Sequence, residues 1–148
     1  IDAYPNSRNV IPGRTFITVD LRHPDDNVLS QMDRALRDSV AEICDKSGLE
    51  YELEQIFYYA PIPFDRGCVS AVRAGADKMG YSAREIVTGA GHDACFIAQS
   101  APTSMIFIPC IDGISHNEVE DIKPEWATAG ANVMLQAILE KAGVSEQP

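Results

Sequence analysis

Thr88-Gly89-Ala90-Gly91-His92-Asp93-Ala94 opens the stretch on which the reading of this chain turns, and Gly113-Ile114-Ser115-His116-Asn117-Glu118-Val119-Glu120 closes it. Between them, Pro102-Thr103-Ser104-Met105-Ile106-Phe107-Ile108-Pro109 has an apolar centre bounded by prolines, which predicts a short buried strand. Two histidines thus stand at the ends of a strand–turn system, beside glycines that let backbone approach a ligand closely. Carboxylates lie near both: Asp93 for His92, and Asp112, Glu118, Glu120 and Asp121 for His116. That combination points to a functional site.

Around this stretch the pattern alternates. A helix over Gly67–Met79 ends at Gly80, a short strand near Arg84–Val87 runs into the glycine turn, and a helix over His92–Gln99 starts on that turn. Pro124 begins a long amphipathic helix carrying Trp126, Val133, Met134, Ala137, Ile138 and Ala142, which Gly143 ends. Strands alternating with helices predict a wound α/β layer here, and Ser145–Pro148 read as a frayed tail. Ala60-Pro61-Ile62-Pro63-Phe64 interrupts strand and helix alike, and so marks the candidate boundary between residues 1–60 and 61–148.

The first part reads differently. Asp2 to Gly13 is extended and turn-rich, with Pro12-Gly13 a strong turn signal. A strand is expected over Arg14–Arg22, with Ile17, Val19 and Leu21 on its core face and Thr18, Asp20 and Arg22 on the polar one. A helix then starts at Pro24-Asp25-Asp26, repeats Val28, Met32, Leu36, Val40 and Ile43 on one face, and stops at Gly48. Tyr51–Tyr59 alternates as a second strand. Strand, helix and antiparallel strand make half of a small α+β layer. Two strands under one helix are marginal alone, so this half calls for partners.

With 148 residues the chain is long enough for one core, and its 45% hydrophobic and 23% charged content suit a soluble domain. No apolar run approaches the ~20 residues a bilayer span needs. No secretory signal is visible, and the start at Ile1 rather than Met leaves open a piece of something longer. Twelve basic residues against 22 acidic ones give a net charge of −10, which repels phosphate backbones and disfavours nucleic acid as a partner. Cys44, Cys68, Cys95 and Cys110 form no C-x-x-C pair and read as reduced, mostly buried residues of a cytoplasmic protein.

The individual signals stay open. Gly89-Ala90-Gly91 lacks the Lys-Ser/Thr of a phosphate loop and the third glycine of a dinucleotide fingerprint, and Ala90 stands where a nucleophile elbow has serine. His92 reads equally as a functional group at a strand–helix junction or as a helix cap bonded to backbone. His116 reads as a metal ligand or as a surface histidine bonded to a neighbouring acid, and a catalytic zinc takes about three protein ligands. His23 beside Pro24 reads as structural. Arg22 suits two-point recognition of a carboxylate, or else simply pairs with Asp20 or Asp25. Asn9 reads as a ligand contact or as a turn residue bonded to its own backbone.

Taken together, five segments resemble one family. They are Pro5-Asn6-Ser7-Arg8-Asn9-Val10-Ile11-Pro12-Gly13, Asp20-Leu21-Arg22, Gly89-Ala90-Gly91-His92-Asp93-Ala94, Met105-Ile106-Phe107-Ile108-Pro109 and Gly113-Ile114-Ser115-His116-Asn117-Glu118. In order and spacing they are similar to the metal-dependent amidohydrolases that cleave N-carbamoyl groups. That family includes N-carbamoyl-L-amino-acid hydrolase, β-ureidopropionase and allantoate amidohydrolase, built like the aminoacylase and carboxypeptidase metallopeptidases. The resemblance spans nearly the whole chain.

The resemblance implies a role for each matching residue. His116 matches the last ligand of a centre holding two divalent metal ions, zinc or manganese. His92 matches a histidine that binds substrate and stabilises charge on the carbonyl oxygen, and Gly91 a backbone substrate contact. Asn9 and Arg22 match the pair that holds the carboxylate of a small ureido substrate, from a lid domain that also makes a homodimer. Residues 1–60 are then half of that antiparallel lid, and 61–148 the C-terminal strand–helix units of an α/β catalytic domain. The implied reaction is metal-assisted hydrolysis of the carbamoyl group to amino acid, ammonia and carbon dioxide.

This sequence departs from the family in lacking the other metal ligands, the glutamate general base and a lid histidine, which come from segments before Ile1. The expectation is therefore a C-terminal piece, inactive alone and binding no metal tightly. The alternatives are a non-catalytic dimerisation domain derived from the family, or part of a related aminoacylase or peptidase.

Overall fold

Four α-helices and one two-stranded antiparallel sheet make up the computed structural model, which describes residues 1–143. The chain divides into two compact units, Ile1–Pro61 and Ile62–Pro148. The expected tail at Ser145–Pro148 lies outside the described residues.

In the first unit, β1 (Asp2–Tyr4) pairs with β2 (Arg14–Phe16), with Asp2 opposite Phe16 and Tyr4 opposite Arg14. The Gly13 N–H donates to the Tyr4 carbonyl at 2.8 Å and closes the loop between them. The Arg14 guanidinium lies 4.5 Å from the Tyr4 ring centroid, a cation–π contact across the pair. Helix α1 (Asp26–Ser47) starts where the Asp25 carboxylate accepts the Asn27 and Val28 N–H groups at 2.8 and 3.3 Å. It ends at Gly48, whose φ of 65° is left-handed and cheap only for glycine. Val28, Met32, Leu36 and Val40 are half-buried along one face, but Ile43, expected in the same stripe, is 60% exposed.

The strands of this unit are shorter than expected. Only Arg14–Phe16 of the expected strand Arg14–Arg22 forms a ladder, and its partner is the Asp2–Tyr4 segment that reads as turn-rich in sequence. Tyr51–Tyr59 forms no strand, and Ile56 and Phe57 are 83% and 76% exposed. Alternation marks a side chain's face, whereas a strand exists only where a neighbour completes its hydrogen bonds. No residue of this unit is fully buried, and Ile11, Ile17, Ile56 and Phe57 are among its apolar side chains that lie open.

The second unit is built on two helices. In α2 (Arg66–Lys78) the Asp65 carboxylate caps the start by accepting the Cys68 N–H at 2.7 Å, while the Asp65 N–H donates to the Thr103 carbonyl at 3.0 Å. Helix α4 (Pro124–Ala142) opens on proline, whose missing N–H costs nothing in a first turn. Ala71, Gly75 and Ala76 of α2 and Val133 of α4 are the buried core. A Cβ at Gly75 would sit 3.0 Å from the Val133 carbonyl oxygen and 3.1 Å from the Gln136 Cβ, so the close approach of these helices requires a glycine there. Asn132 donates to the Tyr81 hydroxyl at 3.1 Å and fastens the turn after α2 to α4.

Helix α3 (Asp93–Ile97) is shorter than the expected His92–Gln99, because the Ser100 and Ala101 N–H groups both fold back onto the Ile97 carbonyl at 2.9 Å. Neither Arg84–Val87 nor Ser104–Ile108 forms a strand among the described residues, since neither has a neighbouring strand to bond. The expected α/β layer is therefore present here as helices and unpaired segments. Ser104, Met105, Ile106 and Ile108 are nonetheless half-buried. The four cysteines are free and half-buried rather than buried. No described helix is long and apolar enough to cross a membrane.

Candidate functional site

Asn9 and Arg22 belong to the first unit, and Gly91, His92 and His116 to the second. Asn9 sits in the β1–β2 loop, where its Oδ1 accepts the Ser7 hydroxyl at 2.8 Å. That bond is to a side chain and not to its own backbone.

Arg22 follows β2 and makes a two-point contact with Asp20, Nε at 3.0 Å from Oδ1 and Nη2 at 2.6 Å from Oδ2. The hydrogen bonds from Arg22, with its charge, hold the Asp20 carboxyl below its usual range and raise the guanidinium in turn. Both side chains are more than 60% exposed, so water and salt screen the pair. His23 is structural: its Nδ1 accepts the Asp25 N–H at 2.9 Å, next to the α1 cap.

In the second unit His92 occupies the N-cap position of α3 but makes no side-chain cap hydrogen bond. Its ring turns back to Thr88, with Nε2 at 2.8 Å from the hydroxyl, which also accepts the Ala90 N–H at 3.1 Å. The Phe107 ring packs edge-on against it, with centroids 5.5 Å apart and planes at 65°. The helix-cap reading of His92 is thereby excluded. Gly91 is exposed beside it, and a Cβ there would meet nothing within 4 Å.

His116 is exposed and has φ 57°, a left-handed value uncommon outside glycine. The Glu120 carboxylate holds that geometry by accepting the His116 backbone N–H at 2.8 Å, while its other oxygen takes the Cys110 S–H at 3.7 Å. Partial burial, then Glu120, pushes the Cys110 thiol up. At the loop's base the Ile111 N–H donates to the Asp121 carbonyl at 2.8 Å. The acid behind His116 thus bonds its backbone and leaves its ring alone. No hydrogen bond joins His92 to His116 among the described residues.

Three of these residues, Thr88, Phe107 and Glu120, were not singled out by sequence for these contacts. Glu120 stood out only as one of several nearby acids. Thr88 gives no sequence signal beyond its place four residues before His92.

A family model described as peptidase family M20/M25/M40 matches residues 5–140. The chain belongs to this family. It is 47% identical over 142 residues to an N-carbamoyl-L-amino-acid amidohydrolase of Rhizobium meliloti, a match covering 96% of this chain and 34% of that protein. It is 36% identical over 120 residues to an allantoate amidohydrolase of Escherichia coli strain K12, covering 81% of this chain and 29% of that one. Among solved structures, a hydantoinase/carbamoylase family amidase from Burkholderia multivorans superposes with a TM-score of 0.93 at 65% identity. That match covers 98% of this chain and 35% of the amidase. The chain thus spans about a third of the length of these relatives.

Members of the M20/M25/M40 family generally bind divalent metals. Among the described residues no three His, Cys, Asp or Glu side chains converge to hold one. His116 offers one imidazole where a catalytic site takes about three protein ligands.

Proposed function

We propose that this M20/M25/M40 chain is the C-terminal part of a metal-dependent amidohydrolase that removes the N-carbamoyl group from a carbamoyl amino acid or related ureido acid. The observation that carries the reading is the 47% identity to an N-carbamoyl-L-amino-acid amidohydrolase across 96% of the chain. The allantoate amidohydrolase match supports the wider class, since its name too denotes a ureido-type substrate.

In this reading residues 1–60 belong to a lid through which the enzyme dimerises, and 61–148 to the catalytic domain. The open apolar face of the first unit supports a lid that packs against further protein. Asn9 and Arg22 grip the substrate carboxylate, Arg22 exchanging its screened contact with Asp20 for one sheltered by lid closure. Gly91 offers backbone without a side chain in the way. His92 donates to the oxygen of the scissile carbonyl as charge builds there. His116 is one ligand of a two-metal centre, zinc or manganese, whose other ligands come from the part of the relatives' length that this chain does not span. When bound, that centre supplies Lewis acidity at the carbonyl. The free cysteines support a cytoplasmic setting.

The test is a substrate panel on the full-length protein: an N-carbamoyl-L-amino acid, an N-acetyl amino acid and a dipeptide. The expected result is equimolar ammonia and free amino acid from the first, with the other two turned over far more slowly. Turnover of the acetyl compound or the dipeptide in preference to the carbamoyl one would place the protein among aminoacylases or peptidases instead.

A further inference from the structure

The hydroxyl of Thr88 stands between two groups, the Ala90 N–H at 3.1 Å and the His92 Nε2 at 2.8 Å. A hydroxyl has one proton to give and two lone pairs to accept with. The Ala90 amide can only donate, so it takes one lone pair. If His92 also donated, from a protonated Nε2, the hydroxyl would accept twice and give its own proton to water at this half-buried position, and the chain of bonds would end there. If Thr88 donates to Nε2, one continuous chain runs from Ala90 N–H through the hydroxyl to the ring, each bond polarising the next. A neutral imidazole accepting at Nε2 carries its proton on Nδ1. Phe107, edge-on at 5.5 Å, restrains the ring plane in the same pose.

From this we infer that Thr88 is a positioning residue that holds His92 in the Nδ1–H tautomer, so that Nδ1–H, and not Nε2–H, is the donor offered to a ligand. The inference rests on the proposed role of His92 as a donor to the substrate oxygen. It adds which atom donates and which residue sets the choice. Thr88 itself does not touch the substrate.

The experiment uses histidine-labelled full-length protein without substrate, read by long-range ¹H–¹⁵N correlation at a pH where His92 is neutral. Wild type is expected to show a protonated, pyrrole-type Nδ1 and an unprotonated, pyridine-type Nε2. Thr88→Val, which keeps the shape and removes the hydroxyl, should shift this pattern toward Nε2–H or a mixture, and Thr88→Ser should restore it. With an N-carbamoyl-L-amino acid, kcat of the valine variant should fall on the order of 10-fold, the worth of one hydrogen bond, with little change in KM. A wild-type Nε2–H pattern, or one that Thr88→Val leaves unchanged, overturns the inference. If the pattern responds as expected while Thr88→Val and His92→Ala both keep wild-type turnover, the tautomer assignment stands and the donor role proposed for His92 falls.

Discussion

Replacing His92 by alanine in the full-length enzyme is expected to lower kcat by ~10²–10³, equivalent to ~2.7–4 kcal/mol of transition-state stabilisation. KM should barely move, because a donor aimed at developing charge contributes little to ground-state binding. His92 is not spent on capping α3, and its ring is held by the Thr88 hydroxyl and the edge of Phe107. Truncation also removes that packing against Phe107, so thermal unfolding must accompany the kinetics. A variant with unchanged unfolding and a raised KM at constant kcat would show His92 to be a binding residue with no special role in the transition state.

Arg22→Gln is expected to reduce kcat/KM about 10–150-fold, since a charge-assisted contact to a carboxylate contributes roughly 1.5–3 kcal/mol. The competing account is visible in the structure, where Arg22 makes a two-point contact with the exposed Asp20. If that pair were its whole purpose, the substitution would cost only ~0–1 kcal/mol and leave kinetics nearly untouched. Arg22→Lys should lose activity as well, because an ammonium cannot reproduce a planar two-point grip. An analogue with the substrate carboxylate replaced by a neutral amide separates the cases. Wild type and Arg22→Gln should process that analogue almost equally. An equal loss on both substrates would assign Arg22 to lid structure.

The helices were legible in sequence because their signals are local. Gly48, Gly80 and Gly143 lie at or just beyond helix ends, Pro124 opens α4, and acidic residues lead α1. The strands were legible only in part, because Arg14–Phe16 lies within the expected strand but its pairing depends on residues far away in the sequence. Ile17, Val19 and Leu21 alternate as a strand should, yet no neighbour completes a ladder there. The short β1 was missed for the converse reason: Asp2–Tyr4 has little apolar pattern, and pairing with Arg14–Phe16 makes it a strand. At the site, the motif around Gly91 and His92 was readable, but the residues that fix the histidines were less so. Glu120 was one acid among several until its carboxylate was found on the His116 backbone N–H. Thr88 could not be chosen without knowing that the loop folds its hydroxyl back onto Nε2.

The central claim is a division of labour between the two histidines of the second unit, His116 as a metal ligand and His92 as a donor to the substrate. Metal content of the purified full-length protein, measured side by side for wild type, His116→Ala and His92→Ala, tests it most directly. The account predicts that His116→Ala loses bound metal along with most activity, while His92→Ala keeps the wild-type metal content. Loss of metal from His92→Ala with full retention in His116→Ala would contradict it.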